Sequence, residues 1–161
     1  MKTALVVIDV QAYFMRRTPA DLPGKIADYI RQHRHDLLVF TIFQNTDGSF
    51  FERNLHWDRC KNPEDLVLAP ELQPFATDEN TYVKQTFSAF KQPAFAEYLR
   101  SRGIKKLKLC GVDLEDCMLG TLFEAFDLGY EVEVLFDLSW ARFSTKEAIT
   151  SIILRDIQTK N

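Results

Sequence analysis

Asp9, Lys84 and Cys117 are the residues of this chain whose types could act together on a carbonyl carbon. A thiol at the start of a helix meets unpaired backbone N–H groups and the positive end of the helix dipole, both of which favour thiolate. A lysine beside it adds to that stabilisation. A carboxylate within reach can take the thiol proton and later return it to a leaving amine. Alone, each residue has an ordinary explanation: a lone cysteine is commonly an inert small hydrophobe, as Cys110 within its apolar run is read, and a lone Asp after a strand is commonly a turn former.

The elements that must position these residues are legible as an alternation. Ala4 to Val10 and Leu37 to Phe43 are nearly continuous apolar runs, suited to strands covered on both faces. Pro23 to His33 between them reads as a helix. Thr81 to Gln85 is a shorter extended piece, followed by a helix over Pro93 to Ser101, with Pro93 at a first helical position and Gly103 at the exit. Lys106 to Val112 reads as a strand and a helix begins near Asp116, with Leu119, Leu122, Phe123 and Phe126 as its apolar stripe before Gly129. Glu131 to Asp137 is a further strand. Ser144 and Glu147 then form a capping box for a last helix that docks Ile149, Ile152 and Ile153. This order predicts a three-layer α/β/α domain with a mostly parallel, doubly wound sheet. Ligands in such folds collect at the carboxyl ends of the strands. Asp9, Lys84 and Cys117 all fall there.

The chain's 161 residues, 46% hydrophobic, suffice for one core and one domain spanning 1–161. A net charge of -3 with interspersed signs offers no basic face, so neither nucleic acid nor membrane is expected as a partner. No apolar stretch approaches the ~20 residues of a membrane span, and the run from Ala4 to Ile8 is too short for a secretory core. Three cysteines, Cys60, Cys110 and Cys117, match neither a disulfide framework nor a zinc knuckle, which places the chain in a reducing cytoplasm. Gln44 to Asn80 is too long for an ordinary connection. Its Phe50, Phe51, Trp57 and Phe75 are read equally as a lid or pocket wall and as a satellite core or subunit contact.

The sequence resembles the isochorismatase-like cysteine hydrolases. The resemblance rests on Val7, Ile8, Asp9, Val10, Gln11 and Phe14 at the first strand; on Lys84 ahead of Ser88, Ala89 and Phe90; and on Gly111 and Val112 before Cys117. Ala125, Gly129, Tyr130, Val132, Val134 and Asp137 continue the pattern, which spans nearly the whole chain in order. The resemblance implies Asp9 as general base and acid, Lys84 as its charged partner, and Cys117 as the nucleophile that forms a thioester. It also implies an oxyanion hole from backbone N–H groups of Asp113 and Cys117, with a cis peptide around Val112 and Asp113. Gln11, Phe14, Phe50, Trp57, Phe90 and Asp113 are the expected pocket residues. The expected reaction is cleavage of a C–N bond in a small amide, carbamoyl or related substrate. The family also implies a homo-oligomer. A non-catalytic relative that serves as a binding or oligomerisation module, and a thiol redox sensor, are the competing functions.

Two departures from the family bear on the site. Asp113 stands where relatives usually carry a small or hydroxyl residue, and Leu114 where they often carry Thr. Asp113 either complements a helix start or lines the pocket and selects a cationic or amide-bearing substrate; Glu115 and Asp116 are read as helix-start charges. Nicotinamidases of the family carry an Asp and two His suited to a metal. Here His56, Asp58 and Cys60 lie in that region at spacings that match no ligand motif, so no metal and no cofactor is expected.

Overall fold

A computed structural model describes residues 1–143 and 146–157 of the chain. Five strands, β1 (Thr3–Ile8), β2 (Leu37–Phe43), β3 (Thr81–Lys84), β4 (Lys106–Gly111) and β5 (Glu131–Ser139), form one sheet in the order β3-β2-β1-β4-β5. Every pairing is parallel. The direction of winding reverses between β1 and β4. Their carboxyl ends therefore border the crevice where ligands bind in sheets of this kind.

The apolar alternation of β1 explains the layers. Ala4, Val6 and Ile8 enter one cluster with residues of α4 (Pro93–Ser101), α5 (Leu119–Asp127) and α6 (Lys146–Asp156), whereas Leu5 and Val7 enter a second with residues of α2 (Leu22–Gln32). A central strand buried on both sides cannot read as apolar-polar alternation. Its residues Ala4 to Ile8 are accordingly all inaccessible to solvent. Two short helices, α1 (Ala12–Met15) and α3 (Phe50–Leu55), lie after the first two strands, on the side of the sheet that carries the crevice.

Gly111 is required where β4 ends. Its φ is +119°, and a Cβ there would stand 2.2 Å from the Ile8 carbonyl oxygen. Only glycine lets β4 approach β1 this closely while the chain turns away.

Two expected helix faces differ from those observed. In α5 the buried residues are Thr121, Leu122 and Ala125, while Phe123 and Phe126 are 43% and 48% exposed. Met118, Leu122 and Ala125, at i, i+4 and i+7, make the buried stripe, and Phe123 and Phe126 fall outside it. In α6, Ile149 and Ile153 are buried and Ile152 faces outward, consistent with the i, i+4 spacing of one helical stripe. The capping box assigned to Ser144 and Glu147 falls partly outside the described residues. Among the described residues, no helix is long and apolar enough to cross a membrane.

Candidate active site

Asp9 follows β1 directly, with a left-handed φ of 54°. That conformation costs a non-glycine residue about 1–3 kcal/mol, a price Asp tolerates better than most residues. Its N–H donates to Thr41 O at 3.1 Å and its carbonyl accepts from Gln11 N–H at 2.9 Å, so both sides of the turn are held. Thr41 breaks the apolar run of β2 and is wholly buried; its Oγ1 donates to Asp9 Oδ1 at 2.7 Å.

Lys84 is the last residue of β3 and its side chain is only 1% exposed. Its three ammonium hydrogens have three acceptors around them: Asp9 Oδ2 at 2.9 Å, Cys117 Sγ at 3.2 Å and Thr86 O at 2.8 Å. The ammonium also lies 5.0 Å from the Phe43 ring centroid. The contact with Asp9 is a buried ion pair. Burial opposes the charged lysine, but the Asp9 carboxylate and the Cys117 sulfur outweigh it and raise its pKa.

Cys117 lies in a widened helical turn, Leu114–Met118, just ahead of α5. The turn is π-type: Met118 N–H donates to Asp113 O, five residues back, at 3.2 Å. Such turns recur at functional sites because they re-aim side chains. Burial and the Asp9 carboxylate push the Cys117 thiol well above its ordinary pKa, and the Lys84 charge only partly offsets them. The site therefore holds a resting thiol, not the thiolate expected from a helix N-terminus alone. The Val112–Asp113 peptide is cis. Leu114 N–H is taken by Trp140 O at 2.9 Å, and Asp116 N–H by Asp113 O at 3.1 Å.

A cavity of about 220 Å³ opens onto Cys117. One wall is aromatic, from Phe14, Phe43, Phe51, Trp57 and Phe87. Leu55 adds to it, and the charged residues Arg17, Asp113, Asp116 and Arg142 complete the lining. Asp113 is buried and pairs with Arg17 at 2.7 Å. Burial raises its pKa, and Arg17 acts against that rise. The guanidinium also opposes the pull of Asp113 on a cation. Asp116 is raised likewise, by burial and by its neighbour Glu115.

Of the expected pocket residues, Phe14, Trp57 and Asp113 line this cavity. Gln11 does not. Its amide is a buried clamp that donates to Phe43 O at 2.8 Å and Asp65 O at 3.1 Å and accepts from Phe43 N–H at 2.7 Å. Phe50 is also outside, 69% exposed on the far side of α3. Phe90 does not line the cavity either; it is buried in the core against Phe95 and Tyr130. The sequence reading missed Thr41, Arg17, Phe43, Phe87 and Arg142. Only Thr41 carried a signal, as the single hydroxyl in the run Leu37 to Phe43.

The long connection divides between its two expected roles. Phe51 and Trp57 are pocket wall, and Phe75 packs on the α2 side of the core. The residues that follow β2 do not fit a metal. Cys60 is buried and its thiol donates to Phe43 O at 3.3 Å, its pKa pushed up to about 12 by burial and by Asp65. Asp58 pairs with Arg59, and Asn45 donates its amide to Trp57 O. Among the described residues, no group of three or more His, Cys, Asp or Glu could hold a metal ion.

Comparison with known proteins supplies a family. The family model described as Isochorismatase domain matches residues 3–153. A probable inactive nicotinamidase of Arabidopsis thaliana is 28% identical over 94% of this chain and 86% of its own. Among solved structures, an isochorismatase-like hydrolase from Alkaliphilus metalliredigens superposes with a TM-score of 0.83 at 22% identity, over 98% of this chain and 93% of that one. An N-carbamoylsarcosine amidase from Thermoplasma acidophilum gives 0.80 at 22%, over 97% and 92%. A nicotinamidase from Bacillus subtilis gives 0.81 at 21%, over the full length of both chains.

Proposed function

The chain belongs to the isochorismatase family, and from that membership we propose that it is a cysteine hydrolase that cleaves a C–N bond in a small amide or carbamoyl compound. The observation that carries this proposal is the buried contact of one ammonium, Lys84 Nζ, with both Asp9 and Cys117 at the edge of a cavity. The similarity to an amidase and a nicotinamidase supports the same bond class.

The resting thiol defines the first step. Cys117 Sγ attacks the carbonyl carbon while its proton passes to the Asp9 carboxylate, so thiolate charge develops only beside the Lys84 ammonium. The carbonyl oxygen becomes an oxyanion facing the N–H groups of Asp113 and Cys117. Collapse breaks the C–N bond, and the Asp9 carboxylic acid gives its proton to the leaving nitrogen, which departs as ammonia or an amine. A thioester remains. Water then attacks its carbonyl carbon as Asp9 takes the water proton; the acid is released, and the proton returns to sulfur. Lys84 enters the reaction charged, because the Asp9 carboxylate favours its protonated form.

The cavity sets the substrate size. At about 220 Å³ it falls below the ~300–1,000 Å³ of drug-sized sites, and its aromatic wall suits a flat or apolar acyl group. The second reading, a non-catalytic binding module, is favoured by one observation: the Arabidopsis relative is described as a probable inactive nicotinamidase. Ammonia release from a panel of small amides, carbamoyl compounds and ureides, measured beside Cys117→Ala, separates the two. Release that the substitution abolishes supports the hydrolase. Binding of panel members with no release by the wild-type protein supports the module.

A further inference from the structure

We propose that the active-site cavity is the inner half of a two-part substrate channel, and that the natural amide carries an apolar tail that reaches an outer chamber beyond α3. This inference rests on the hydrolase reading and extends it to the substrate's shape.

The outer chamber has a volume of about 290 Å³ and is bounded by Phe50, Phe51, Asn54, Leu55, Thr86 and Phe87. Three of these, Phe51, Leu55 and Phe87, also line the cavity that opens onto Cys117. The two spaces thus share part of one wall. The partition is a pair of rings, Phe51 and Phe87, in edge contact with centroids 4.9 Å apart. Ring pairs of this kind contribute only about 0.5–1.5 kcal/mol beyond their buried area, so a substrate group can displace one.

The chamber is apolar where a folded chain gains nothing by being so. Phe50, Leu55 and Phe87 are 69%, 59% and 41% exposed and adjoin one another around it. α3 buries none of its residues fully; Phe51 leans on the core, but Phe50 and Leu55 do not, so core packing does not account for those two. The helix is instead held from outside by polar contacts. Ser49 Oγ caps it by accepting from Glu52 N–H at 3.2 Å and donates to Asn45 Oδ1 at 2.6 Å, while Lys61 ties Glu52 to Asp47. A helix fixed by its polar rim leaves its apolar residues available to a ligand. Opposite it, Gly120 lets the Phe87 loop lie against α5, since a Cβ there would stand 3.0 Å from Phe87 Cβ. The wall shared with the Cys117 cavity makes the tail of a substrate the occupant.

The test uses primary amides with a phenyl group on a lengthening chain, benzamide through 4-phenylbutyramide. Calorimetric binding and ammonia release are measured for the wild type and for Phe50→Ser. Phe50 lies outside the inner cavity and the core, so the variant folds. Affinity is expected to rise about three- to fourfold per methylene once the chain passes the ring pair. Phe50→Ser should lose several-fold on the longest amide and nothing on benzamide. Affinity that is flat with length, absent for every member, or equally reduced for all in the variant overturns the channel. So does a change of sedimentation in Phe50→Ser with binding unaltered, which assigns the face to a second copy of the chain. Tightening with length but no ammonia keeps the channel and removes the hydrolase reading; ammonia with no length dependence does the reverse.

Discussion

Lys84→Met should destabilise the protein by about 3–5 kcal/mol, the cost of removing one partner from a buried ion pair. The magnitude follows from burial: the side chains of Lys84 and Asp9 are 1% and 0% exposed, so the stranded carboxylate cannot recover its hydration. Thr41 Oγ1 still donates to Oδ1, but one hydroxyl donor does not replace an ammonium. Asp9→Asn in the same chain removes the stranded charge, tolerates the left-handed backbone and keeps an acceptor for Thr41. The double variant should therefore recover about 2–3 kcal/mol, a coupling typical of groups in direct contact. Urea unfolding at constant m gives all the values of the cycle. The pair also has a pH signature. Because the folded pKa of Lys84 is raised, its stabilisation is fully present below the ordinary lysine pKa of about 10.4 and is lost only as pH climbs through the higher folded value. The gap between wild type and Lys84→Met should stay flat from pH 7 to about 9.5. A cost below ~1 kcal/mol, the value of an exposed pair, or strictly additive substitutions would refute the buried-pair account.

Alkylation of Cys117 by iodoacetamide should be slow at pH 7 and still accelerating past pH 9, since burial and Asp9 hold the thiol protonated; a rate that levels near pH 7 contradicts this. The same raised thiols make stability fall with rising pH. Between about pH 8.5 and the folded values of Cys60 and Cys117 the unfolded chain binds fewer protons, so unfolding free energy should decline there, and less steeply in Cys60→Ala. Gly111→Ala should cost at least about 3 kcal/mol or prevent folding, because the new Cβ meets backbone and no side chain can yield; a wild-type urea midpoint counts against the close approach of β4 to β1. Arg17→Met leaves Asp113 buried and unpaired, so it should lower stability at pH 8 more than at pH 5, where that carboxyl, already raised, takes up a proton. A loss equal at both pH values would show that the pair is not what Arg17 contributes.

β1 and β2 were legible because each is buried on both faces over most of its length and reads as a nearly continuous apolar run, and Pro93 marked the start of α4 to the residue. The faces of α5 and α6 were harder. Leu119, Leu122, Phe123 and Phe126 read as one apolar stripe, yet the buried residues are Thr121, Leu122 and Ala125. Asp9, Lys84 and Cys117 stood out because residue type and strand-end position agree. The pocket did not, since its walls come from side chains far apart in sequence. Arg17 reaches Asp113 across 96 positions, and nothing local in either segment announces the pairing. Gln11 shows the limit of motif reading: its place beside Asp9 suggested substrate contact, while its amide is consumed in holding β2 and the residues after it.

Nucleophile competition tests the central claim most directly. Two amides sharing one acyl group but differing in the leaving amine are hydrolysed in the presence of hydroxylamine, and the ratio of acid to hydroxamate is measured. A Cys117 thioester common to both predicts the same ratio for each amide, with both products absent in Cys117→Ala. A ratio that changes with the leaving amine, or turnover that survives the substitution, would contradict a covalent intermediate on Cys117.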